Sequence, residues 1–382
     1  MREAIFSDTI VNNGRQKEMD LAKAVLIVFL AYIHCTIECT PEPQLAYGIP
    51  FLFDSVIGGP LSAPMFMFAM GVGMVYTGRR TPRDYAGRGI RLGAVGFILN
   101  VCRFLIPFLI GYLATGDWDK YIAPLPYRVL GNDIMQFACL AMLLIALFVK
   151  LGFSDAVMLA VSFGMSVLGM FFNGLDTGTI WGNIFLGHII GIEDAAGQVF
   201  SDFPLLNWAL VPVFGYVFGK KLQYVKNKKL FYGIISPAAG LIAAAYFTVG
   251  IIQRYGMFGE GQNCYYHMFT WETVVCLAAN VGFLGLYYAI SRYLPEKVLT
   301  VLGKLSRDIN AVYCVHWVFV MMSTNVVLYI LRGTQELSVG MTLLLSTCVN
   351  IVAIPLAHLI HGKKIKRVRH SVQEDGNGKT KA

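Results

Sequence analysis

Residues 23–35, KAVLIVFLAYIHC, set ten uncharged residues between a lysine and a histidine. Lys23 and His34 are eleven positions apart, about three helical turns, so they project from similar sides of one helix. The apolar run extends over 21–37, which is close to the lower length limit for crossing roughly 30 Å of hydrocarbon. The rest of the chain has the same character. Of its 382 residues, 56% are hydrophobic and 14% charged, and the mean hydropathy is +0.59. A soluble domain carries about 25% charged residues, so lipid must solvate most of this chain. Lipid admits only helices and closed barrels. The long apolar runs lack the ten-residue alternation of a barrel strand. The expected fold class is therefore all-α and polytopic, with about ten transmembrane helices near 21–37, 60–77, 92–114, 133–150, 155–173, 203–219, 231–252, 272–291, 309–330 and 338–361.

The net charge of +8 is a topology signal rather than a nucleic-acid footprint. GRRTPRDYAGRGIR (78–91) carries five arginines and GKKLQYVKNKK (219–229) five lysines. Arg292, Lys297, Lys304 and Arg307 fall on the same side, as does the tail run KKIKRVR, while the alternate loops hold only Lys120, Arg128, Arg254 and Arg332. Positive charge concentrates on the cytoplasmic side, so both termini are expected there. The chain divides into a cytoplasmic N-terminal segment (1–19), a membrane domain (20–361) and a basic tail (362–382) expected to be disordered. The first span has no small-residue cleavage site and is expected to be retained. The cysteines lack paired spacing and are expected to act as packing residues, with no metal site. The segment 174–202 is too hydrophobic for a plain loop, and is expected to lie at the interface or to re-enter the membrane.

Ionisable side chains within spans cost roughly 2.5–3.5 kcal/mol each and usually face a cavity or a partner. Here they are few: His34, Arg103, Asp133 with Gln136 in GNDIMQ, His316 and His358. Each also has a simpler reading. A membrane histidine commonly bonds a carbonyl, Asp133 suits an N-terminal cap, and Arg88 and Arg91 suit interfacial anchoring. A joint reading links them better. Guanidinium forks at 79–91 match phosphate oxygens, Lys23 begins the first helix on that side, and His34, roughly 21 Å beyond Asp20 along that helix, lies toward the other. This layout fits a phosphorylated donor held inside with a base deeper in the membrane.

These residues resemble the acyltransferase-3 membrane acyltransferases and their heparan-α-glucosaminide N-acetyltransferase relatives. MDLAKAVLIVFLAYIH supplies Asp20 and His34, with Lys23 at the position where the family has arginine. APMFMFAMGVGMVYTGRR resembles the family's second helix, GRGIR supplies an Arg-x-x-Arg as Arg88 and Arg91, and GNDIMQFACLAML resembles the Ile-Leu-Gln helix start. LGKLSRDINAVYCVHWVFV is similar to its Leu-Gly-x-x-Ser…Tyr-x-x-His-Trp helix.

The resemblance implies acetyl-CoA as the acyl donor from the cytoplasm and a sugar or cell-envelope glycan as acceptor, modified at a hydroxyl or amine. Arg88 and Arg91, with Lys23, Arg79 and Arg80, would hold the CoA phosphates. His34 would be the general base, with an acetyl-histidine relay as a variant. Glu38 would orient the imidazole or the acceptor. Asp133, Gln136 and His316 would line the cavity or bond between helices. A bacterial inner membrane is the expected location, with the lipid bilayer as a partner and a homodimer left open. The rival reading is a transporter or flippase, and the sequence lacks the internal repeat common in that class.

Overall fold

The computed structural model describes residues 4–194, 201–252 and 265–378, with side chains excepted at 251–252 and from 363 onward. Arg254 and the KKIKRVR side chains lie outside the described residues. Each expected span coincides with a helix. In chain order these are α1 (Lys17–Cys39), α2 (Ala63–Val75), α3 (Pro82–Thr115), α4 (Ile134–Lys150), α5 (Asp155–Phe172), α6 (Leu210–Leu222), α7 (Lys228–Ile252), α8 (Thr270–Ser291), α9 (Glu296–Arg332) and α10 (Val339–Gly378). Seven of them are long and apolar enough to cross a membrane; α2, α4 and α6 are shorter.

Local chemistry sets several boundaries. Thr81 and Asp84 form a reciprocal capping box, with Pro82 just inside, to start α3. Gly116 (φ 73°) ends it in the left-handed conformation. Pro107 lacks the N–H that would bond the Arg103 carbonyl, and α3 widens to a π-turn over Val101–Leu105. A second π-turn interrupts α9 at Met322–Leu328. The helical backbone of α10 runs on as far as Gly378.

Packing follows the small-residue rule of membrane bundles. The tightest crossing joins α2 and α6, where a Cβ on Gly71 would lie 2.1 Å from the Pro212 carbonyl oxygen and one on Gly215 would lie 2.2 Å from that of Phe68. Helix α1 runs through the centre against α8, α9 and α10. Thirteen residues of α9 precede the span expected at 309–330, and they stitch the basic end together. Ser306 Oγ donates to Asp20 at 2.7 Å, and the Asp308 carboxylate meets both His358 and His361 at 2.6 Å. His358 thus ties α10 to α9 through the Asp308 carboxylate rather than through a backbone carbonyl. The described cysteines are all free, including Cys35 and Cys39 one turn apart.

At the opposite end the chain folds over the helices. Leu175 bridges Ile192 and Asn132 bridges Ser201. His267 lies 2.8 Å from the Ser201 hydroxyl, and its burial lowers it to about pKa 4, so it is neutral there. Asn173 and Asn207 bond each other and the 267–268 backbone. The described parts of the segment, 174–194 and 201–202, therefore lie over the bundle end, and Asp202 contributes to the cavity beneath it.

Candidate active site

That cavity, of about 310 Å³, runs along α1 from Leu26 through Leu30 and His34 to Glu38. On α9, Tyr313, His316 and Trp317 stand at i, i+3 and i+4 and so share one face. His316 Nδ1 lies 3.0 Å from the Val312 carbonyl oxygen, which can only accept, so Nδ1 carries the proton. Neutral His316 then offers the Nε2 lone pair, and His34 Nδ1 donates to it at 2.7 Å. This assigns the His34 tautomer: Nδ1 is protonated and Nε2 keeps its lone pair. The Trp317 indole stacks on the His34 ring with centroids 4.0 Å apart. An imidazole held by a second group and an aromatic ring, with one nitrogen lone pair free, is able to take a proton from a group placed within hydrogen-bond reach.

Beside the histidines lies a buried ion pair, Arg103 with Asp133 at 2.5 Å. Asp133 does what the capping reading expects, accepting from the Ile134 N–H at 2.6 Å to start α4, and it also accepts from the Tyr313 hydroxyl at 3.0 Å. Arg103 bonds Asn100 through Nε and Nη2 and lies 4.9 Å from the Trp317 ring centroid. The π-turn in α3 delivers Arg103 to this position. The π-turn in α9 delivers Asn325, whose Nδ2 donates to Glu38 at 3.1 Å.

Glu38 lines the cavity one turn beyond His34, held by Asn325, while the imidazole takes its orientation from His316. His316 is fully buried and bonds between helices rather than lining the cavity. Gln136 is buried with its amide against Gly96 between α3 and α4, outside the cavity wall. Two wall residues had no signal in the sequence beyond their charge, Arg128 and Asp202. Arg128 forms no ion pair among the described residues, and its guanidinium lies 5.3–5.5 Å from the Tyr127 and Phe104 ring centroids. Burial, and then Asp133, push Asp202 up to about pKa 6 against the pull of Arg128 and Arg103. Phe66, Tyr265 and Tyr266 add aromatic surface.

The basic residues at 79–91 lie at the other end, away from this cavity. Arg79, Arg80 and Arg91 are exposed. Arg80 and Arg91 fold back onto the carbonyls of Thr77 and Gly87. Arg88 differs, because its Nη1 is buried and lacks a hydrogen-bond partner. Lys23 is half-buried on α1, on the stripe that continues through Leu26 and Leu30 to His34, and among the described residues it makes no ion pair.

A helical membrane domain enclosing a cavity with an oriented histidine at one end defines the class, an integral-membrane protein with a buried polar site. A family comparison narrows it. The acyltransferase-3 model, described as an acyltransferase domain, matches residues 16–361, and the chain belongs to that family. It is a multi-pass membrane acyltransferase. Among curated proteins, none matches the chain.

Proposed function

We propose that the protein moves an acyl group, acetyl in the first instance, from acyl-CoA at the basic, cytoplasmic end to a hydroxyl or amine of a sugar or envelope glycan entering from the opposite face. The orientation of His34 by His316 carries this reading, because it leaves Nε2 available as a base in an enclosed cavity. In the proposed step, His34 Nε2 takes the proton of the acceptor O–H or N–H. The acceptor oxygen or nitrogen bonds to the thioester carbonyl carbon, the C–S bond breaks, and the proton passes to the departing sulfur to give free CoA. The Arg128 guanidinium shares the cavity and is available to the developing oxyanion. The inner stripe of α1, ending at Lys23, leads from the cavity toward the basic end and supports donor entry there. A bacterial inner membrane fits this arrangement.

The test uses purified full-length protein, radiolabelled acetyl-CoA and a panel of hexoses and hexosamines. The wild type should bind the donor saturably and label an acceptor. His34→Ala should keep donor binding while transfer falls by about 10³-fold, within the usual range for removing a general base. Failure of the wild type to bind any CoA ester, or wild-type transfer by His34→Ala, overturns the proposal.

A further inference from the structure

Two further cavities at the basic end share a wall. One, of about 380 Å³, lies between α7 and α8 and is lined chiefly by Gly233, Pro237, Gly282, Leu286 and Ala289. The other, of about 360 Å³, is bounded by charged side chains: Arg15, Lys17, Glu18, Lys228 and Glu296. Tyr288 and Arg292 line both.

The apolar cavity exists because the two helices meet at glycine, where a Cβ on Gly282 would fall 2.9 Å from the Gly240 Cα. Its rim includes Leu286, which is 50% exposed, and Ile234 and Ile290 face outward beside it. In a membrane protein that exposure is to lipid. The cavity therefore opens sideways into the bilayer, at the level where it joins the charged one.

The charges there are unequally matched. Lys17 pairs with Glu296 at 3.0 Å, Lys228 with Glu18 at 2.7 Å, and Arg15 with Asp20. Arg292 and Lys229 form no ion pair among the described residues, and both line the apolar cavity. Two exposed cations without an ion pair, at the polar end of a lipid-facing groove, complement an anion that itself carries hydrocarbon. A free phosphate or nucleotide would use the charged cavity and leave the apolar one without a role. Tyr288 and Tyr232, with ring centroids 5.0 Å apart, add the amphipathic aromatics typical of the headgroup level.

We propose that the joined cavities bind an anionic phospholipid, with one acyl chain along the groove at Gly233, Pro237 and Ala289 and the phosphate between Arg292 and Lys229. The site lies at the opposite end from His34 and does not depend on the acyl-transfer reading.

The experiment titrates detergent-purified full-length protein with dioctanoyl phosphatidylglycerol, dioctanoyl phosphatidylcholine, inorganic phosphate and CoA, reading lipid adducts by native mass spectrometry. Phosphatidylglycerol should bind saturably and at least about tenfold more tightly than phosphatidylcholine, since each basic residue near an anionic headgroup contributes about 1 kcal/mol. Replacing both exposed cations (Arg292→Ala with Lys229→Ala) should weaken phosphatidylglycerol by about thirtyfold on the same basis. Ala289→Trp, which fills the groove and leaves the charges, should weaken it independently. Equal binding of the two lipids, unchanged binding by either variant, or displacement of phosphatidylglycerol by phosphate or CoA would overturn the proposal.

Discussion

The two ends of the bundle hold their polar groups in different ways. At the His34 end, each key side chain is fixed by a neighbour from another helix: His34 by His316, Arg103 by Asp133, Glu38 by Asn325. At the arginine-rich segment, Arg80 bonds the Thr77 carbonyl of its own loop, Arg91 bonds the Gly87 carbonyl of its own helix and Arg79 is exposed, with Arg88 alone there holding a buried, partnerless nitrogen. The first end is preorganised, as a catalytic step requires, because desolvated groups must find partners within the protein. Water satisfies the exposed guanidiniums of this segment and leaves them free for whatever binds there, whereas Asp20 and Glu18 at the same end are held across helices by Ser306 and Lys228.

The sharpest way to break this contrast is to disturb the buried pair. Arg103→Met leaves Asp133 charged in a dry site and should cost about 3–5 kcal/mol, seen as a large drop in the thermal unfolding midpoint. Arg80→Ala, at the other end, should leave the midpoint nearly unchanged. Equal effects would mean that the ends do not differ in organisation.

Asp202 tests the same end through pH. Its folded pKa of about 6 is above the ordinary unfolded value near 3.9. The folded state therefore binds more protons than the unfolded state between those values, and stability should fall as pH rises from about 4 to about 6, then level off. The span corresponds to about 3 kcal/mol. Asp202→Asn should flatten that slope, measured as the thermal midpoint across pH 4–7.

His316 acts through His34, so its removal should be milder than loss of the base. His316→Ala should lower kcat by about 10–100-fold, at the lower end of the contribution of a positioned general base, with KM for acetyl-CoA little changed. His316→Gln, which can still accept from His34 Nδ1, should recover part of that loss. Smallest is the change at the start of α3. Arg88→Ala should raise KM for acetyl-CoA about tenfold, the lower part of the range for a charge-assisted hydrogen bond, and Arg91→Ala should raise it less. Equal effects at the two positions would show that the buried nitrogen of Arg88 confers nothing.

The sequence alone determined the helical membrane class, because apolar runs and few charges leave lipid no other backbone solution. It also located each long helix, the cap at Asp133, and His34 as an ionisable group too costly to be idle. It could not show that His316 orients His34, since the two are 282 positions apart and meet only when α1 packs on α9. Nor could it show Arg103 turned toward the cavity or Asn325 toward Glu38, because both depend on π-turns whose extra residue resets which side chains share a face. Gln136 shows the converse: its polarity suggested a cavity residue, and packing placed it against Gly96. Hydropathy is local and survives reading one residue at a time. Which polar groups meet is a property of helix rotation and crossing, and only the tertiary structure fixes those.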